Sequence, residues 1–267
     1  KVRAVIFGDF FLIYLVMAGA YLLNLIGRII PVWMIFGISE KWLLLFAVSV
    51  CACGMEKGLQ KRGRMAEVTG GSFLGAILLL LILCAGQGKA EYITELFREE
   101  AFSVQTSIRS AYRYLCFFSG ISLLPFVMKD VEKRGSAGKT VIGGILTVSG
   151  IMICVLVLLP AVLGWRRVQS ETWPVLSLLA GADLPGNVLA RFDVLWMGFL
   201  LYGLLFTIGS VFYYGERILT SAHIGTGKYW LPVAVYAAAI IEIDGVTVAD
   251  LFEIYLAKIL CPVFFLY

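Results

Sequence analysis

Charge is scarce in this chain. Only 15% of its 267 residues are Asp, Glu, Lys or Arg, against roughly a quarter in soluble domains. Histidine is nearly missing, with His223 alone in a polar loop beside Gly225 and Gly227. These shortages exclude several classes of function. A zinc-type centre needs clustered Cys and His, so no metal site is expected. No Gly-x-Ser-x-Gly elbow occurs, and the paired carboxylates Glu99 and Glu100 fall in a segment rich in both charges, so no catalytic group is assigned. GSAGKT, Gly135 to Thr140, resembles a phosphate loop, but Lys133 stands where that pattern requires Gly. It reads as a flexible basic turn feeding the next helix. No cofactor is expected, and the chain is not read as an enzyme.

What the chain has in abundance is apolar surface. Hydrophobic residues make up 60% and aromatics 13%, and the mean hydropathy is +0.91. One water-soluble core cannot hide that much, so lipid must be the solvent. The fold class is therefore all-α, a polytopic membrane helix bundle. The six cysteines, Cys51, Cys53, Cys84, Cys116, Cys154 and Cys261, all sit in apolar stretches and read as buried reduced thiols. The chain opens on Lys1 with an apolar span following almost at once, which suggests a truncated N-terminus rather than a signal peptide.

A helix needs about 20 apolar residues to cross the hydrocarbon. That rule predicts eight spans, near 5–27, 40–57, 67–86, 108–129, 140–164, 190–214, 229–243 and 249–267. If they alternate, twelve Lys and Arg fall on one side and nine on the other. The twelve crowd short loops at span ends, where the positive-inside rule applies. The N-terminus and the 57–67 and 129–139 loops are thus expected in the cytoplasm, with the 165–190 connection outside. The net charge of +4 reflects this topology, and no nucleic-acid partner is expected.

Within the spans, Asp9, Glu253 and Lys258 are ionisable. Ion coupling competes there with structural pairing or snorkelling. Gly71, Gly75, Gly143, Gly144, Gly150, Gly198, Gly203 and Gly209 are candidates for close helix packing. The stretch FFSGISLLPF, Phe117 to Phe126, raises a sharper question, because Gly120 and Pro125 weaken a helix at mid-bilayer depth. Gly120 could be a packing residue beside a proline kink. Alternatively the helix unwinds at 119–122 and its freed backbone groups meet a ligand, with Ser119 and Ser122 adding hydroxyls and Phe117 and Phe118 an apolar wall. A re-entrant loop fits the charge pattern poorly.

Two motifs resemble a known family. GLQKRGRMAEV, Gly58 to Val68, carries Gly58, Arg64, Ala66 and Glu67 in the register of a signature of spore germination receptor B subunits. WPVL, Trp173 to Leu176, followed by ARFD, Ala190 to Asp193, resembles that family's external Pro-Val-Leu segment and the opening of its eighth helix. The family belongs to the amino acid–polyamine–organocation transporter superfamily, whose fold has ten helices in two inverted repeats, the first and sixth broken at the substrate site. The resemblance implies that the eight spans are helices three to ten, in one integral membrane domain covering 1–267 that lacks its first two helices. The interrupted stretch then falls on the sixth helix, although FSGIS here lacks the acidic residue that members often carry near the break.

The resemblance further implies a nutrient-sensing subunit for an amino acid ligand in the spore inner membrane or another bacterial cell membrane. It would act with a receptor A subunit and a lipoprotein C subunit. Ligand contacts would come from Phe118, Ser119, Gly120, Ile121 and Ser122, with Tyr14, Met17 and Ala18 of the first span and Gly203 and Thr207 of the sixth, chosen by depth, closing the pocket. The rival readings are an ion-coupled amino acid permease and a ligand-free assembly subunit.

Overall fold

The structure is a computed structural model that describes residues 2–35, 37–55, 58–92, 94, 104–126, 128, 134–180, 192–221, 229–243, 246–260 and 262. Glu99, Glu100, Arg191, His223 and Cys261 lie outside the described residues. The elements are α1 (Val2–Trp33), α2 (Glu40–Met55), α3 (Gly58–Ala85), α4 (Val104–Phe117), a 3₁₀ helix (Phe118–Phe126), α5 (Arg134–Leu163), α6 (Trp165–Ser170), α7 (Pro174–Ala180), α8 (Phe192–Ser221), α9 (Trp230–Ile240), the strands β1 (Glu242–Ile243) and β2 (Val246–Thr247), α10 (Val248–Tyr255) and a π turn (Leu256–Leu260). The all-α expectation holds apart from the β1–β2 hairpin, in which Glu242 faces Thr247 and Ile243 faces Val246.

Among the described residues four helices are long and apolar enough to cross a membrane: Gly8–Trp33, Gly58–Ala85, Gly135–Leu163 and Trp196–Thr220. They correspond to the first, third, fifth and sixth predicted spans. Elsewhere the apolar stretches run across joints in the backbone. α2 has 16 residues, and at 1.5 Å per residue that is about 24 Å, short of the hydrocarbon thickness. The expected 229–243 span stops being helical at Ile240 and passes into β1, while 249–267 begins as the eight-residue α10 and then widens into the π turn. Composition counts apolar residues and is blind to where the helical hydrogen bonding breaks.

The chain divides into two compact units. The first comprises Lys1–Arg62, Ile108–Asp130 and Leu200–Tyr267. Its centre is α1, which packs on α2, α9 and α10. Leu15, Leu23, Ile26 and Ile30 recur at spacings of three, four and eight along α1 and are buried with Phe212, Ile208 and Val235. That periodicity gives α1 a core-facing stripe. On α2, Leu44, Ala47, Val48, Cys51 and Met55 make the buried face, while Trp42 and Phe46 on the other side are each 71% exposed. Two open aromatic rings on a surface helix are consistent with a lipid surround.

The second unit comprises Gly63–Ser107 and Val131–Phe199. Its small core joins Leu80 and Cys84 of α3, Leu159 of α5 and Leu178 of α7. Around it Val68, Leu78, Ile82, Ile142, Leu146 and Ile153 are exposed. As far as Ala180 the connection after α5 is not open chain: Gly164, at φ +78, turns α5 into α6, and Pro174 opens α7, where a missing N–H has no consequence. Glu171 binds Arg167 at 3.3 Å and accepts from Ser177 Oγ at 3.0 Å, tying α6 to α7.

Candidate functional site

The interruption at Phe117 is real, but it is a change of winding and not a gap. α4 ends at Phe117 and the chain continues as a nine-residue 3₁₀ helix through Phe126. Runs beyond three or four residues are uncommon, because the i→i+3 geometry is poorer. Two local causes act here. Pro125 has no N–H to offer the Ile121 carbonyl, and its ring would crowd that carbonyl in an α-helix. Ser122 Oγ donates to the Ser119 carbonyl at 2.6 Å, so a side chain competes for the backbone acceptor. The expected unwinding over 119–122 is thus replaced by tightening over 118–126.

α1 supplies the facing wall. Phe11 and Phe126 meet edge to face at 5.1 Å between centroids, and Leu123 and Cys116 are buried in the same core as Phe11 and Tyr14. The Tyr14 hydroxyl lies 3.4 Å from Ser119 Oγ. Among the described residues, and apart from its chain neighbours, a Cβ added to Gly120 would meet the Tyr14 hydroxyl at 3.8 Å. The backbone at Gly120 is therefore open on one side, between two hydroxyls. Behind Tyr14 stands Phe252 of α10, 6.2 Å away, which also faces Tyr21 at 5.3 Å.

Of the predicted ligand residues, Tyr14, Ser119 and Gly120 are brought together. Phe118 and Ser122 are half-buried and Ile121 is exposed beside them. Met17 and Ala18 pack as partly buried side chains against the core, about one turn along α1 from Tyr14. Gly203 and Thr207 are tied to each other on α8, where Thr207 Oγ1 donates to the Gly203 carbonyl at 2.8 Å and Thr207 is exposed. Of the ionisable residues expected within spans, Asp9 and Lys258 are exposed, and the Glu253 side chain lies outside the described residues.

One cluster was not legible in the sequence. Arg62, which falls in the expected 57–67 loop, lies inside α3, because that helix starts at Gly58 and not near 67. Gly58 has φ +70, a left-handed turn that glycine permits. Arg62 Nη2 donates to the Phe206 carbonyl at 2.9 Å and to Ser210 Oγ at 2.7 Å, and the guanidinium stands 5.0 Å over the Phe206 ring. The polar run that hid Arg62 is the first turn of α3, and its partners are some 145 residues away.

The family described as spore germination protein, spore permease, matches residues 1–243. No curated protein and no solved structure matches the chain.

Proposed function

This chain belongs to the spore germination protein family of spore permeases, and from that premise we propose that it is a membrane subunit that senses a small nutrient, an amino acid, during germination. The observation that carries the reading is the open backbone at Gly120, set in a 3₁₀ segment between the Tyr14 and Ser119 hydroxyls. Such a site offers a small zwitterion polar groups close to the chain, with Phe118 and Ile121 alongside for an apolar side chain. Ligand binding acts by favouring one of two arrangements of the bundle. A receptor A subunit and a lipoprotein C subunit are the proposed partners, and the spore inner membrane is the proposed location.

The test is binding of an amino acid panel to the purified full-length protein, with Gly120→Leu alongside. A leucine side chain fills the open side of Gly120 and reaches the Tyr14 hydroxyl. Saturable binding by the wild type, weakened at least about tenfold, or roughly 1.4 kcal/mol, in a variant of unchanged unfolding temperature supports the site. Equal affinity in both proteins places the ligand elsewhere. No binding by folded full-length protein favours the assembly-subunit reading. Accumulation of the bound amino acid in proteoliposomes against a gradient converts the sensor into an ion-coupled permease.

A further inference from the structure

Arg62 is a half-buried cation that pairs with no carboxylate among the described residues. Among the described residues the ion pairs are Arg28 with Asp250 and Arg167 with Glu171, and Arg62 is in neither. Its partners are neutral: the Phe206 carbonyl, Ser210 Oγ and the face of the Phe206 ring. Ser210 Oγ itself donates to that same carbonyl at 2.8 Å, closing a triangle. Phe206 and Ser210 stand near the middle of the apolar stretch Trp196–Thr220. A charge at such depth is expensive, and carbonyls and hydroxyls offset it only in part.

The floor of the site is backbone. A Cβ at Gly209 would come within 3.2 Å of both Nη1 and Nη2, so the guanidinium lies against α8 where no side chain intervenes. Cys51, Tyr202, Tyr213 and Tyr214 are within electrostatic reach of it, and none of the four is a carboxylate. Nη2 spends its hydrogens on α8, while Nη1 and Nε make no hydrogen bond among the described residues. Lys61, the preceding residue, is exposed and adds positive potential.

We propose that Arg62, seated on Gly209 and Ser210 of α8, is the binding site of a small monovalent anion, chloride or a carboxylate, held at Nη1. The size follows from the donors. Nη1 and Nε are not the adjacent pair that grips a planar acid with two parallel bonds, so a single-atom contact is what remains. The charge follows from depth, since one negative charge neutralises the guanidinium, whereas a dianion brings a second charge that must itself be desolvated.

The experiment uses full-length protein in detergent at constant ionic strength, with gluconate as the bulky background anion. Gluconate is replaced stepwise by chloride in one arm and by acetate in the other, and the unfolding temperature is read. The expected result is a saturable rise in the wild type in at least one arm, the stronger arm identifying the anion. The rise disappears in Arg62→Gln. Gly209→Ala retains the charge but lifts the guanidinium, and it moves the midpoint to higher concentration by about tenfold. That variant carries the test if Arg62→Gln does not fold. A linear response, a response unaltered in both variants, or no response overturns the site. So does a stability that becomes sodium-dependent only in Arg62→Gln, which would make the guanidinium a fixed cation for the Phe206 carbonyl. No amino acid enters the assay, so failure here leaves the Gly120 reading untouched.

Discussion

At the scale of single residues, the glycines separate into those that helices lean on and those that face outward. Val235 of α9 is buried against Gly19 of α1, and a Cβ there would lie 2.9 and 3.0 Å from its two methyl groups. Gly215 of α8 faces Leu231 of α9 with less room still. By contrast Gly71, Gly75, Gly143, Gly144, Gly150 and Gly198, expected to pack closely, have nothing among the described residues within 4 Å of an added Cβ. Spacing marks a smooth helix face without saying whether lipid or a helix covers it. Gly19→Ala is expected to destabilise by about 1–3 kcal/mol, the usual range for overpacking a well-filled contact. Val235→Ala should recover part of that loss when combined with it, which a double-mutant cycle of thermal unfolding measures.

The cysteines divide in a similar way. Cys51, Cys84 and Cys116 are buried, as expected, but Cys53 and Cys154 are exposed. Cys51 and Cys53 are two residues apart on one helix and so point to different faces. Cys51 donates to the Leu205 carbonyl at 3.3 Å, which satisfies its thiol inside the bundle.

Among the elements, α10 has the clearest local logic. Thr247 precedes its first residue and Asp250 stands three residues on. Asp250 Oδ2 accepts from the Thr247 amide at 3.0 Å and its hydroxyl at 2.7 Å, and the Asp250 amide points back to Thr247 Oγ1 at 3.4 Å. This is a capping box with Asp in the acidic position. Arg28 of α1 reaches both members, at 3.2 Å to Thr247 Oγ1 and 3.6 Å to Asp250. Thr247→Ala should cost about 1 kcal/mol, a typical value for a lost N-cap, seen as a lower unfolding temperature. Since α10 also carries Phe252 behind Tyr14, ligand affinity is expected to fall with it.

The 3₁₀ segment is the other element whose local sequence has a structural consequence. Gly120 and Pro125 were enough to locate a weak point, and the location was right. Whether the chain would open or tighten there was not legible, because that depends on the Ser122-to-Ser119 bond and on what α1 places opposite. Pro125→Ala returns the missing N–H. It is expected to extend α4 through the segment, raising helical content in circular dichroism and weakening amino acid binding.

For the molecule as a whole, the prediction concerns sidedness. Loop charges predict the 129–139 segment in the cytoplasm and the 165–190 connection outside. Ser136 and Thr172 are both exposed at ends of structural elements in the second unit. In a cysteine-free background, Ser136→Cys should react with a membrane-impermeant maleimide only after the membrane is opened, and Thr172→Cys in intact cells. Labelling of both from one side would remove a crossing from the proposed topology.

Composition and pattern alone were sufficient for a helical membrane protein, for four of the eight spans they predict and for the family, since these follow from apolar length and from short motifs contiguous in the chain. They also located the change of winding around Gly120. Tertiary structure alone decided which glycines carry packing, that Tyr14 faces Ser119 across 105 residues, and that Arg62 is drawn out of a polar run to Phe206 and Ser210. Those are distances between parts of the chain far apart in order. Local propensity does not encode them, because they are settled only when helices compete for the same neighbours.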